Sequence, residues 1–289
     1  MHCKINSRIF LSEIPSASGI EKINHQFYVI GDDSLHLFIL NETDFSIKEK
    51  INLVSTIGVF RIPKKEKKDV EAICFAEKEQ KILIFGSGSN ENRNVLFTID
   101  IKQQHHVENL DISHFYNQLK EKAKLDNADF NIEAAACLGN KLFLFNRGNN
   151  VIIRIALPHF FSFIKKETSN LVFETTSIDL GKIQQHQISF SGAATFDGND
   201  NDLFFSATVE ATSNWIDDGK VLGSFVGVYN TASQLVDNCP VLENGVQKEI
   251  KIESLLVNKK NSETSFEIIL VTDADGGESE LILADLIIE

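Results

Sequence analysis

Short apolar runs separated by polar turns fill the chain, and their order repeats. "SGIEKINHQFYVIGDDS" begins at Ser18, "KDVEAICFAEKEQKILIFGSGSNENR" at Lys68 and "FNIEAAACLGNKLFLFNRGNN" at Phe130. "SFSGAATFDGNDNDLFFSATVEA" begins at Ser189 and "IKIESLLVNKKNSETSFEIILVTDADG" at Ile250. Each holds an apolar segment led by a polar residue, a polar hairpin turn, a strongly apolar strand, and a cluster of Gly, Ser, Asp or Asn. The leading residues are Glu21, Glu71, Glu133, Ser191 and Glu253, at spacings of 50, 62, 58 and 62. A period of about 60 residues with several short strands per unit predicts a β-propeller rather than a solenoid.

A third strand follows each polar cluster: "LHLFILN", "NVLFTIDI", "VIIRIAL", "GSFVGVYN" and "SELILADLII". A fourth is expected in "FSIKEKINL", "HHVENLDI", "VFETTSIDL" and near "VLENGVQ". This predicts an all-β, five-bladed propeller of four antiparallel strands per blade, in one domain. The blades span about 15–60, 61–120, 128–182, 186–248 and 249–289. The last unit stops after its third strand, so Cys3 to Ile14 is expected to supply the fourth and close the ring, which removes exposed sheet edges. Near-helical spacing of Phe115, Leu119, Ala123 and Leu125 predicts a short helix between the second and third units. "LPHFFSFIKKETSN" reads as either a helical turn or a loop.

Composition narrows the function. The chain has 289 residues, 43% of them hydrophobic, and a net charge of −13. That charge argues against nucleic acid and anionic membranes as partners, and fits a cation. The first residues lack a signal-peptide apolar core, and no run approaches a membrane span. Cys3, Cys74, Cys137 and Cys239 show no ligand-like spacing and read as reduced thiols of a cytoplasmic protein. A monomer binding a small molecule is expected.

In a propeller the first strand of each blade lines the channel, and the second returns to the same end. The leading acids Glu21, Glu71, Glu133 and Glu253, with Ser191, are therefore expected to ring one opening. Two carboxylates ~4 Å apart repel by about 4 kcal/mol at an effective dielectric near 20, so such a ring takes up protons or binds a cation. Oxygen donors without sulfur suit Ca²⁺, or Mg²⁺. Without an ion, the acids cap loops in a hydrated channel. Around them the clusters offer Asp32 and Asp33, Ser87, Ser89 and Arg93, Asn146, Arg147 and Asn149, Glu210, and Asp273 and Asp275. Taken singly, each cluster is also ordinary turn composition. Ser87, Arg93, Asn146, Glu210 and Asp273 are the candidate substrate contacts. Arg147 either pairs a carboxylate or holds an anionic substrate. "PKKEKKD", Pro63 to Asp69, reads as a charged loop on the same face. His105 and His106 read as adjacent, solvated strand residues, and "GSGSNENR" lacks the Lys-Ser/Thr of a phosphate loop.

The order "GIE … VIGDDS", "DVEAI … GSGS", "NIEAA … NRG", "FSGAA" and "KIES" resembles the calcium-activated nucleotidases, or apyrases. It is also similar to bacterial phytase-esterase-like propeller proteins of unknown function. The apyrase resemblance implies a five-bladed propeller with an axial calcium ion. It implies that Glu21, Glu71, Glu133, Ser191 and Glu253 hold the ion, and that Asp32, Asp33 and Arg147 serve the reaction. Two features depart from that family: Ala72 and Ala134 stand where it has aromatic residues, and Ser34 and Leu35 follow the Asp-Asp turn in place of a basic residue. The function expected on this basis is a calcium-dependent phosphohydrolase of nucleotidase type. Its alternatives are a non-enzymatic propeller with a stabilising ion and, third, a glycosidase, which needs two acids about 5–10 Å apart beside a sugar-sized cleft.

Overall fold

The second strand of every repeat is a near-continuous apolar run, such as Gln26–Gly31 (QFYVIG) and Lys81–Gly86 (KILIFG), and it is buried on both faces. Strands of this kind cannot stay at a surface, and each becomes an interior member of a sheet. The computed structural model describes residues 1–54, 67–196, 198, 201–212, 219–273 and 278–288.

Three repeats form separate four-stranded antiparallel sheets. The first joins Ala17–Ile23, Gln26–Gly31, His36–Leu40 and Ile47–Asn52. The second joins Val70–Ala76, Lys81–Gly86, Val95–Asp100 and His106–Asp111. The third joins Ile132–Leu138, Lys141–Asn146, Val151–Ala156 and Glu174–Ser177. The fourth repeat contributes Ser189–Ala194, Asp202–Ala211, Lys220–Asn230 and Val236–Glu243, and the fifth Ile252–Lys260, Ser265–Thr272 and Ser279–Ile287. The N-terminal strand His2–Leu11 lies antiparallel to Ser279–Ile287, from His2 opposite Ile287 to Leu11 opposite Ser279, with one register slip between Ile5 and Ser7. The expected closing strand is therefore in place.

One feature differs from the expected set of separate sheets. His2–Leu11 also runs parallel to Val236–Glu243, with Cys3 opposite Val241 and Lys4 opposite Leu242. The last two repeats thus form one nine-stranded sheet. The outer strand of the fourth repeat, expected near "VLENGVQ", is Val236–Glu243; it begins five residues earlier and ends on the first three residues of that segment, and Val246–Gln247 adds a short strand beyond it. Asn238 and Pro240 obscure the period-two pattern there. Pro240 is tolerated because the parallel partner is reached only at Val241.

Each inner strand contacts the next, and the fifth contacts the first, so the five inner strands are in cyclic order around an axis. This is a propeller-like all-β fold. Ser113–Ala123 forms the expected helix, burying Phe115, Tyr116 and Leu119. Leu157–Ile164 resolves the open choice as a helix, with Pro158 in its first turn, where a missing N–H costs nothing. His105 lies in a turn with φ 57 rather than on the strand. No helix among the described residues is long and apolar enough to cross a membrane.

Removing residues 1–11 leaves the Ser279–Ile287 edge unpaired, and an exposed edge templates association. The truncated chain is expected to aggregate, as read by size-exclusion chromatography and thermal melting. A soluble fragment with unchanged Tm would show that closure contributes nothing.

Candidate axial site

Every inner strand carries the same irregularity near its start. Register slips between Ala17 and Gly19, Val70 and Ala72, Ile132 and Ala134, Phe190 and Gly192, and Ile252 and Ser254. The skipped residues are Ser18, Glu71, Glu133, Ser191 and Glu253. A bulge re-aims the side chain it carries. A small residue follows each one, because the inner strands crowd together: a Cβ on Gly192 would lie 2.5 Å from the Ser254 Cα.

The first repeat therefore presents Ser18, not Glu21, at the equivalent position. Glu21 lies three residues further along the strand. Its carboxylate accepts from the Lys22 and Phe75 N–H groups, and it ties the first inner strand to the second. Ser18 donates to the Val70 carbonyl at 2.6 Å, and Ser191 to the Ile252 carbonyl at 2.7 Å. Both serines join repeats just before the next bulge. Ser191 is 1% exposed, so its hydroxyl is taken up in this seam.

Two residues before each bulge stand Ser16, Asp69, Asn131, Ser189 and Lys251. The carbonyls of four of them accept an N–H from the end of the second strand: Asp32 to Ser16, Ser87 to Asp69, Arg147 to Asn131 and Asp273 to Lys251. Each repeat thus brings two inner-strand residues and one second-strand residue together at one end of the ring. The spacing is legible as polar, apolar, polar, small in "SASG", "DVEA", "NIEA", "SFSG" and "KIES". Sequence reading took only the third letter of this pattern, and in the first repeat it took Glu21. Asp69, Asn131 and Lys251 went unrecognised for that reason.

These residues line an axial cavity of about 330 Å³. Of the expected site residues, Asp32, Glu71, Arg93, Glu133, Arg147, Glu210, Glu253 and Asp273 reach it. Ser87 and Asn146 are fully buried behind it. Ser87 donates to Asp69 at 2.6 Å, and Asn146 bonds the backbone of Asp129 and Asn131. Asn149 holds the Asn146 amide at 2.8 Å, and Ser89 accepts from Arg93 at 2.8 Å. Asp33 accepts from Ser16 at 3.1 Å. Asp275 and Pro63 to Glu66 lie outside the described residues.

The cavity has two electrostatic halves. On one side the carboxylates of Asp32, Asp69 and Glu71 offer oxygens that all lie within 4.8 Å of one another. Lys67 bridges Asp32 and Asp33, the latter at 2.8 Å, and Arg93 pairs Asp69 at 2.7 Å. The charged loop therefore turns inward at Lys67. Asp32 Oδ1 is buried without a hydrogen-bond partner among the described residues. Glu71 makes no ion pair or hydrogen bond among them. Burial, then the charges of Asp69 and Asp32, raise the Glu71 carboxyl well above its ordinary range. Burial pushes Asp32 up to about 8 against the pull of Lys67.

On the other side, acids and bases alternate. Arg147 forks between Glu133 at 3.2 Å and Glu210 at 3.0 Å. Lys251 spans Glu210 at 3.5 Å and Glu253 at 3.2 Å. Burial raises Glu133 despite Arg147, and pushes Glu253 up to about 7 despite Lys251 and Arg147. Burial would raise Glu210 too, but the same two cations hold it below its usual range. The arrangement can bind a hard cation at the first half and place polar groups against a ligand from the second. Arg147 Nε and Asn131 Oδ1 remain unpartnered among the described residues, and such groups in a cavity wall await water or ligand.

Residues 13–286 match DUF6929, a family of unknown function. The chain belongs to this family. This match adds no support to the apyrase resemblance of the strand starts. No curated protein matches the chain. Among solved structures it is similar to the glutaminyl cyclase of Myxococcus xanthus, with TM-score 0.54 and 10% identity over 99% of this chain and 97% of that one. It also matches the hydrazine synthase of Kuenenia stuttgartiensis, with TM-score 0.45 and 8% identity over 91% of this chain, and there it spans only 58% of the other chain. The WD40 β-propeller domain of Doa1 aligns with TM-score 0.41 and 8% identity over 98% of this chain and 96% of that one. At these identities the likeness concerns the fold alone.

The sign of the Glu71 effect can be tested. A carboxyl raised above 4.5 in the folded state contributes stability below that pH, and the contribution is lost as pH rises through the folded value. Glu71→Gln removes this loss. In metal-free buffer the variant is expected to be more stable than the parent at pH 8, and the gap should close below pH 4.5. Denaturant melts across that range check it.

Proposed function

We propose that this protein is a five-bladed propeller that binds a divalent cation, calcium before magnesium, at Asp32, Asp69 and Glu71, and holds a small-molecule ligand in the axial cavity. The nine-stranded sheet is read as two blades joined by a two-residue parallel contact. The observation that carries the cation is the convergence of three carboxylates within 4.8 Å, one with a buried, unpartnered oxygen. Calcium is favoured because its coordination is large and flexible, while Mg²⁺ demands a near-ideal octahedron. The remaining residues expected to hold the ion have other work: Glu21 and Ser191 join strands, and Glu133 and Glu253 pair with Arg147 and Lys251.

The enzymatic form of this reading is a phosphohydrolase, and its support is that Arg147 and Lys251 line the same cavity as the triad. A bound cation there would polarise a phosphoryl oxygen. Arg147 would orient the anionic group through its fork, at the cost of one of its glutamate contacts. The non-enzymatic form has the ion stabilise the fold alone.

Calcium is expected to raise Tm and EDTA to lower it, with about 2.7 kcal/mol gained at a hundredfold excess over the dissociation constant. Glu71→Gln should abolish the shift. Nucleoside diphosphate and phosphoester turnover then separates the two forms. Turnover lost in Arg147→Ala supports the hydrolase, and a calcium-dependent Tm without turnover supports the structural ion. An identical Tm in calcium and EDTA would refute cation binding.

A further inference from the structure

Resting on that cation site, we propose that Lys67 is its specificity-determining residue, a tethered ammonium that occupies the acidic half and admits only ions of higher charge. Lys67 Nζ lies against Asp32 Oδ2 and 2.8 Å from Asp33 Oδ1. Its side chain is only 13% exposed, so the ammonium is held inside the cavity wall and not on its rim. Asp32 is also a member of the carboxylate triad, and its second oxygen is the buried, unpartnered one. An ion that takes Asp32 Oδ1 as a ligand therefore shares one carboxylate with the Lys67 ammonium on Oδ2, and the two like charges compete for it.

The competition is uneven by charge. A tethered group acts at an effective concentration of roughly millimolar or above and is not lost on dilution, so the ammonium is a standing competitor at Asp32. A monovalent ion that displaces it exchanges one unit charge for another and gains nothing in Coulomb energy. A divalent ion doubles the attraction to each of Asp32, Asp69 and Glu71. Arg93 fills no equivalent role, because it grips Asp69 and Ser89 from the side of the second repeat and leaves Glu71 open. Lys67 is thus the described cation that sits on the same carboxylate as the buried, unpartnered oxygen offered to an incoming ion.

The test is calcium calorimetry on the full chain, in low salt and in 150 mM KCl (roughly physiological ionic strength), for the parent, Lys67→Met and Lys67→Gln. The glutamine variant keeps length and polarity should the methionine variant fold poorly. Both variants are expected to bind calcium at least about tenfold more tightly than the parent in low salt. Potassium should weaken calcium binding more in the variants than in the parent, since only their triad is open to it. Equal calcium affinity and equal potassium sensitivity in parent and variants would overturn the role of Lys67 and leave the cation site standing. Absence of calcium binding in all three proteins would overturn both.

Discussion

Seven described carboxylates face one cavity of about 330 Å³, and the fold around them is organised by the need to offset their repulsion. A pair of such groups ~4 Å apart costs about 4 kcal/mol at an effective dielectric near 20. The second half of the cavity meets this cost internally, by interleaving Arg147 and Lys251 with three glutamates. The first half meets it only in part. Lys67 and Arg93 serve Asp32, Asp33 and Asp69, while Glu71 is left facing the cavity. The asymmetry between the halves gives the site a direction, with a wall of alternating charges opposite a wall where one carboxylate has no cationic partner among the described residues.

The same charges explain the regular bulges. A strand in regular alternation would turn its polar residue away every second position. The slip re-aims the skipped side chain, and at Glu71, Glu133 and Glu253 that side chain is a carboxylate lining the cavity. It also brings inner strands so close that only Gly, Ala or Ser fits next, as Gly19, Ala72, Ala134, Gly192 and Ser254 show. Where the bulge carries serine, its hydroxyl bonds the neighbouring strand.

Much of this was legible in the chain itself, and the reasons are particular. Apolar second strands such as "KILIFG" leave little choice but a buried strand, and their recurrence exposes the repeat. The N-terminal closure was legible because the last unit lacked a partner for Ser279–Ile287. Register was not: nothing in "ASGIEK" marks Ser18 as skipped unless it is set beside "FSGAA", and Glu21 attracts attention by charge alone. Lys67 and Lys251 were obscured for a related reason. A lysine in a charged stretch reads as solvated until the fold turns it toward buried carboxylates.

The alternating run Glu133, Arg147, Glu210, Lys251, Glu253 has a consequence for how sequence change is tolerated. Each interior member satisfies two neighbours, so losing one leaves two buried charges short. Losing a matched acid and base together leaves fewer stranded than either loss alone. Substitutions along the run therefore do not add, and the double-mutant coupling between Arg147 and Glu210 should be large for residues in one network. Exchange of a matched acid–base pair is therefore the less disruptive change at this wall, and on the opposite side the same holds for Asp69 with Arg93, while Glu71 has no cationic partner among the described residues to strand.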